Sequence, residues 1–256
     1  MKSLLAALTF LLAPVMVQAD LINGGFETGN FTGWQTIGDA LVVDSSIGTA
    51  PAGGNYQALI TNAPSRPSSE RHFQSYSGTN SVSAFCSIVP GFINPLEAFL
   101  GSPNCSLTDL ATAINFGSSL AWEGSAIKQS FTGNAGEVLS FSWNFLTDEG
   151  SPMDFAFVVL DGNLSLLADF STVHTGSGTP FRNESGYHIF ATILPTTGIH
   201  YIGIGVVDTL IDPDINSAVL VDNFSKTKIP EPSALILFGL GLIAVARALR
   251  HEPLLR

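Results

Sequence analysis

From Val138 to Phe145 the chain reads Val-Leu-Ser-Phe-Ser-Trp-Asn-Phe, and after the first pair apolar and polar residues alternate with a period of two. Successive side chains of a strand point to opposite faces, so this pattern predicts a strand with one buried face. Short alternating or apolar runs bounded by Gly, Asn, Asp and Pro recur through the middle of the chain. They predict strands near Ala40–Asp44, Tyr56–Thr61, Ala126–Phe131, Val138–Leu146, Phe155–Asp161, Leu164–Phe170, Tyr187–Leu194, His200–Val207 and Ala218–Phe224. Asp161-Gly162-Asn163 joins two of them as a hairpin turn, because Gly and Asn accept positive φ. Eight or nine strands without helical crossovers make a mainly β fold, a jelly-roll β-sandwich whose first and last strands pair.

The strand pattern breaks between residues 62 and 124. Asn62–Ser81 is rich in Ser, Pro and Asn and reads as an exposed loop. Pro95–Leu100 and Ser106–Phe116 have helical character, with Ser106 as the N-cap of the second helix and Asp109 in its first turn. The segment reads as a short helical insertion within one domain, residues 20–228.

Both ends differ from that domain. Lys2, the apolar run Leu4–Leu12 and the small-residue pattern Val17-Gln18-Ala19 make residues 1–19 a signal peptide, which sends the chain through the Sec translocon. At the other end Ile229-Pro230-Glu231-Pro232-Ser233 leads into the uncharged Ala234–Ala246, then Arg247, Arg250 and Arg256. Proline cannot continue a preceding strand but is tolerated where a helix starts. The 14 uncharged residues from Ser233 to Ala246 fall short of a comfortable span of about 20. With Arg247–Leu249 and a snorkelling arginine stem, a single transmembrane helix over about 233–249 reaches the lower limit. Arginines beyond it predict a cytoplasmic C-terminus and a domain outside the inner membrane.

Ile229–Arg256 resembles the PEP-CTERM sorting tail of Gram-negative bacteria: the motif Pro230-Glu231-Pro232, a Leu/Gly/Ala-rich helix and following arginines. The arginines are more widely spaced here than in the usual tight cluster, with His251 and Glu252 among them. The resemblance implies recognition by an exosortase, a membrane protease that removes the anchor, leaving the protein at the cell surface or in the extracellular matrix. Owners of such tails usually belong to bacteria that make exopolysaccharide, so extracellular polysaccharide in a biofilm is the implied partner. A second resemblance covers Glu123–Phe131, Phe145–Gly150, Asp154–Val158, Glu184–Tyr187 and Gly203–Asp208, which look like a recurrent domain of exported PEP-CTERM proteins. It bears on fold and assigns no activity.

Charge narrows the function. Only 12% of residues are charged, about half the usual share. Residues 20–229 hold six basic against nineteen acidic residues, a formal −13. Without a basic patch there is no nucleic-acid partner to expect, whereas an acidic exported domain suits calcium. The two cysteines, Cys86 and Cys105, both lie in the insertion, and in an oxidising compartment they form one disulfide.

No catalytic constellation stands out. Asp148 and Glu149 are adjacent, so on a strand they face opposite ways and cannot act as a facing acid–base pair. His72, His174, His188 and His200 show no metal-ligand spacing, and His188 and His200 read as structural residues of strands. Near the start of the domain, Asn23-Gly24-Gly25-Phe26-Glu27 resembles the opening of galactose-binding-like jelly rolls of the carbohydrate-binding-module kind. Their structural calcium uses an early acidic residue and a late Asp, which correspond to Glu27 and Asp222 here. The other reading makes both ordinary turn residues facing water. Trp143 belongs to the core by its period-two placement, while Trp122 and Tyr76, in the insertion, are the candidates for a sugar-stacking face. The expected function is a non-catalytic surface protein associated with polysaccharide. The alternatives are a secreted glycan-active hydrolase and a purely structural surface protein.

Overall fold

The computed structural model describes residues 20–62, 81–87, 89, 91–114, 120–150, 154–209 and 216–228. The signal peptide, most of the Asn62–Ser81 loop with Tyr76, the motif Pro230-Glu231-Pro232 and the tail helix lie outside the described residues. Among the described residues no helix is long and apolar enough to cross a membrane.

Two antiparallel sheets pack face to face. One contains β1 (Gln35–Ile37), β5 (Glu123–Gly133), β12 (Gly198–Asp208), β7 (Phe155–Leu160) and β8 (Asn163–Asp169) in that order, with β4 (Val82–Ser83) also on β5. The other runs β2 (Asp39–Val43), β3 (Gln57–Thr61), β13 (Ser217–Lys228), β6 (Glu137–Thr147), β10 (Asn183–Glu184) and β9 (Thr175–Gly176). Its last member, β11 (His188–Ile193), also pairs with β6. The mainly β sandwich expected from the sequence is present, but its first and last strands do not pair. β1 joins β5, whereas β13 lies between β3 and β6.

Alternation along the long strands builds the core. Ile127 and Phe131 on β5, Ala156 and Val158 on β7, and Ile202, Ile204 and Val206 on β12 face Ile60, Phe141, Trp143, Phe145, Val219 and Val221 from the other sheet. Trp143 is buried in this layer, as its spacing predicts. The turn at Asp161-Gly162, with φ of 52° and 80°, closes the β7–β8 hairpin with Leu160 opposite Asn163. Leu160 and Asn163 thus face each other across the two-residue turn that the sequence predicts.

The insertion lies on the outer face of the first sheet. α1 (Pro95–Leu100) and α2 (Ser106–Ile114) set Leu96, Leu100, Leu107 and Ala111 against Phe155, Phe157, Val159 and Val207. A Cβ on Gly203 would stand 2.6 Å from Leu100 Cδ2, so glycine is what lets α1 approach this closely. Asn94 caps α1 by accepting from the Glu97 N–H, and Gly101 ends it in the left-handed conformation. Ser106 is not the N-cap of α2, contrary to expectation; it is the first helical residue. The start of α2 is satisfied instead by the fully buried Glu97, which accepts from the N–H groups of Cys105 (2.8 Å) and Leu107 (2.9 Å). Cys86 and Cys105 form a disulfide, as the compartment argument anticipates, and it fastens the chain before α1 to the start of α2.

Candidate functional site

Glu27 and Asp222 come together by a route other than the expected pairing of terminal strands. The loop of residues 20–33 folds over the end of the sandwich, where Phe26 is buried against Trp34 and Phe224. The Phe224 N–H then donates to the Gly24 carbonyl at 2.9 Å, locking this loop to β13. A Cβ on Gly25 would lie 3.6 Å from Glu27 Cγ and 3.7 Å from Asp222 Oδ1, so both acids border one small space. The loop of residues 53–56 completes it. Glu27 accepts from the N–H groups of Asn55 (2.9 Å) and Tyr56 (3.0 Å), and Asp222 accepts from those of Gly53 (2.9 Å) and Asn223 (2.6 Å). Gly54 has φ of 62°, and a Cβ there would sit 2.2 Å from Glu27 Oε1.

The two carboxylates differ in environment. Glu27 is exposed, and the N–H groups of Tyr56 and Asn55 hold it below the usual carboxylate range. Asp222 is fully buried; desolvation, with Glu27's charge adding to it, pushes it up to about 6. A buried acid beside a like charge is the arrangement a cation relieves. The oxygens at hand are the two carboxylates and the Asn223 amide oxygen beside Gly53, a hard-oxygen set of the kind calcium takes, while the loop of residues 53–56 turns N–H groups onto the carboxylates. Among the described residues no group of three or more His, Cys, Asp or Glu is set to hold a metal. Glu27 and Asp222 would therefore depend on neutral oxygens for the rest of the shell.

The candidate sugar-facing residues do not form one surface. Tyr76 lies outside the described residues. Trp122 precedes β5, is 38% exposed and meets the half-exposed Phe85 edge-on at 5.5 Å. Its backbone is bound on both sides, to Asp208 and Ala84.

A groove of about 570 Å³ lies elsewhere on the same outer face, between the C-terminal end of α1 and strands β5 and β12. Ile199 and Tyr201, 66% and 52% exposed, form its floor. Lys128 stands at one wall, its Nζ bonded to the Phe99 carbonyl and 4.5 Å from the centre of the Phe99 ring. Asp161 stands at the other, accepting from the Tyr201 N–H at 2.9 Å and contacting buried His200 at 2.7 Å. The second ring nitrogen of His200 contacts the Thr196 carbonyl at 3.1 Å, so both nitrogens are engaged structurally, as expected of a strand histidine. His188, also in a strand, stacks on Trp143.

Sequence reasoning missed this groove. Its signal is the outward phase of the strand His200–Val207: where His200, Ile202 and Ile204 face inward, Tyr201 must face out.

Comparison with known proteins bears first on the tail, where residues 228–250 match the model of the PEP-CTERM protein-sorting motif. The chain carries a PEP-CTERM sorting signal. Such a signal marks a surface protein processed by an exosortase. A search of curated proteins finds no sequence match. Among solved structures, TmCBM61 in complex with beta-1,4-galactotriose is 14% identical, with a TM-score of 0.40, over 83% of this chain and 99% of that one. A structure described as carbohydrate-binding modules from the beta-sandwich super family is 12% identical, with a TM-score of 0.39, over 83% of this chain and 64% of that one. The K2 cleaved adhesin domain of Lys-gingipain is 11% identical, with a TM-score of 0.37, over 80% of this chain and 96% of that one.

Proposed function

We propose that this PEP-CTERM protein is a non-catalytic surface or matrix protein that binds extracellular polysaccharide in the Tyr201 groove. Export through the Sec translocon and transient anchoring in the inner membrane precede its release. The observation that carries this reading is an exposed tyrosine on a rigid strand, flanked by a lysine and a carboxylate in a groove of ligand size. An aromatic face covers the apolar side of a sugar ring, while Asp161 accepts and Lys128 donates hydrogen bonds to hydroxyls at its rim. Both charged groups are tied to the backbone, which limits the ordering cost on binding. Calcium at Glu27 and Asp222 serves a structural role here, joining the N-terminal loop to β13.

Binding of the full-length protein to a panel of acidic and neutral bacterial polysaccharides tests this. Tyr201→Ala is expected to weaken binding about tenfold or more, equivalent to roughly 1.4 kcal/mol. Trp122→Ala is expected to leave it unchanged, because that ring stands about 20 Å along the strand from Lys128 at ~3.4 Å per residue. Loss in Trp122→Ala with retention in Tyr201→Ala would move the site to the insertion. Release of reducing ends from any bound glycan would replace the binder by a hydrolase.

A further inference from the structure

The sandwich is polar at the end where β5 begins and β12 finishes. Glu123 on β5 is the register partner of Asp208 on β12, and the next pair along, Val207 with Phe155, puts Asp154, the residue before β7, beside Asp208. Three neighbouring strands thus each bring one acid to this end. Alternation turns Asp154 and Asp208 toward the opposite sheet, in phase with Ala156 and Val206 of the core. That sheet answers with neutral oxygens. The Ser217 N–H donates to Asn62 Oδ1 at 2.8 Å, and the Thr147 and Ser217 hydroxyls are 2.8 Å apart.

Asp154 is the odd member of this layer. It is 1% exposed, and its Oδ2 accepts from Asn62 Nδ2 at 2.7 Å. Its Oδ1 is buried without a hydrogen-bond partner. Ser217 and Asp208 act on it as hydrogen-bond partners and Glu149 as a like charge; among the described residues no basic group does. Burial and that neighbouring charge push its carboxyl up to about 7. A bare carboxylate oxygen enclosed by further oxygens is poorly solvated unless something positive lies against it.

We propose that this inter-sheet layer is a second cation site, in which Asp154 Oδ1 binds calcium together with Asp208 and the Ser217 hydroxyl, Asn62 holding the other oxygen of Asp154 in place. A mixture of carboxylate and hydroxyl oxygens, without imidazole or thiolate, selects a hard ion that tolerates irregular coordination. Two carboxylates with neutral oxygens are the composition, since no trio of His, Cys, Asp or Glu is set around one point among the described residues. The site is distinct from Glu27 and Asp222, which lie where the N-terminal loop meets the middle of β13.

Calcium stoichiometry of the full-length protein in detergent, measured by isothermal titration after chelator treatment, tests the assignment. The expected count is two ions for the wild type, one for Glu27→Gln and one for Asp154→Asn. Glu27 is exposed, so its conservative replacement leaves the fold intact and isolates the second ion even if Asp154→Asn fails to fold. No ion on Glu27→Gln overturns the proposal. An ion kept by Glu27→Gln and lost in Asp154→Asn upholds it. A wild type with a single ion, unaffected by Glu27→Gln, removes the first site and leaves this one standing.

Discussion

Replacing Asp39 by asparagine is expected to stabilise the protein at neutral pH and to do nothing in acid. Asp39 opens β2 with 7% exposure, and neither carboxylate oxygen has a hydrogen-bond partner. Desolvation, with Glu123 adding like charge, pushes its carboxyl up to about 6 from 3.8. A raised folded-state value means the folded chain holds this proton more tightly than the unfolded chain. The penalty is absent below about pH 3.8, grows as pH rises and is complete above about 6. Two pH units at 1.36 kcal/mol each set an upper bound of about 3 kcal/mol at pH 7.5. Asp39→Asn removes the ionisation while keeping the shape, and its new N–H₂ can donate toward Glu123. Urea unfolding at pH 3.5 and 7.5, with chelator present and tryptophan fluorescence as the readout, measures both limits. A gain of 1–3 kcal/mol at pH 7.5 that vanishes at pH 3.5 is the expected result. Equal effects at the two pH values would refute the electrostatic cause, and no gain at pH 7.5 would mean the carboxylate is satisfied in solution.

Two further outcomes follow from the loop contacts. Cys86→Ser with Cys105→Ser opens a loop of 19 residues' separation and is expected to cost about 3 kcal/mol, read as a lower urea midpoint; an unchanged midpoint would show that the helices hold without it. Calcium at Glu27 and Asp222 is expected to raise the melting temperature; Gly54→Ala forces a side chain into left-handed backbone and against Glu27 Oε1, so it is expected to abolish that rise and to lower the calcium-free stability by about 1–3 kcal/mol. Retention of the full calcium response in Gly54→Ala would separate Glu27 from the ion.

What the sequence made legible was whatever period and compartment control. The strand Val138–Leu146, the Asp161-Gly162 hairpin, buried Trp143 and the Cys86–Cys105 bridge follow from spacing, turn chemistry and redox environment. Asp148 and Glu149 lie just beyond the end of β6 and not on a strand, where Asp148 accepts from the Arg182 N–H and Glu149 acts on Asp154. Contacts set by tertiary approach were not legible. Strands β1, β4, β9 and β10 have two or three residues each, too short for a periodic signal, and exist through their pairing with longer neighbours. Ser106 has the residue type of a cap, but a carboxylate nine positions earlier performs that task, and no local rule anticipates it. Glu27 and Asp222 border one space through loop docking and not through the pairing of terminal strands expected from the sequence. Tyr201 belonged to a strand identified from sequence, but the wall opposite it comes from α1, and only the folded chain joins the two.

Because Glu97 sits on α1 and caps α2, the start of α2 lacks its bonds unless α1 is in place. The disulfide fastens the chain before α1 to that same start of α2, so bridge and cap hold one junction. Ala98–Gly101, at the end of α1, is also one bank of the groove, facing Tyr201. Oxidation of the two thiols therefore adds a covalent fastening beside this bank that a reduced chain lacks.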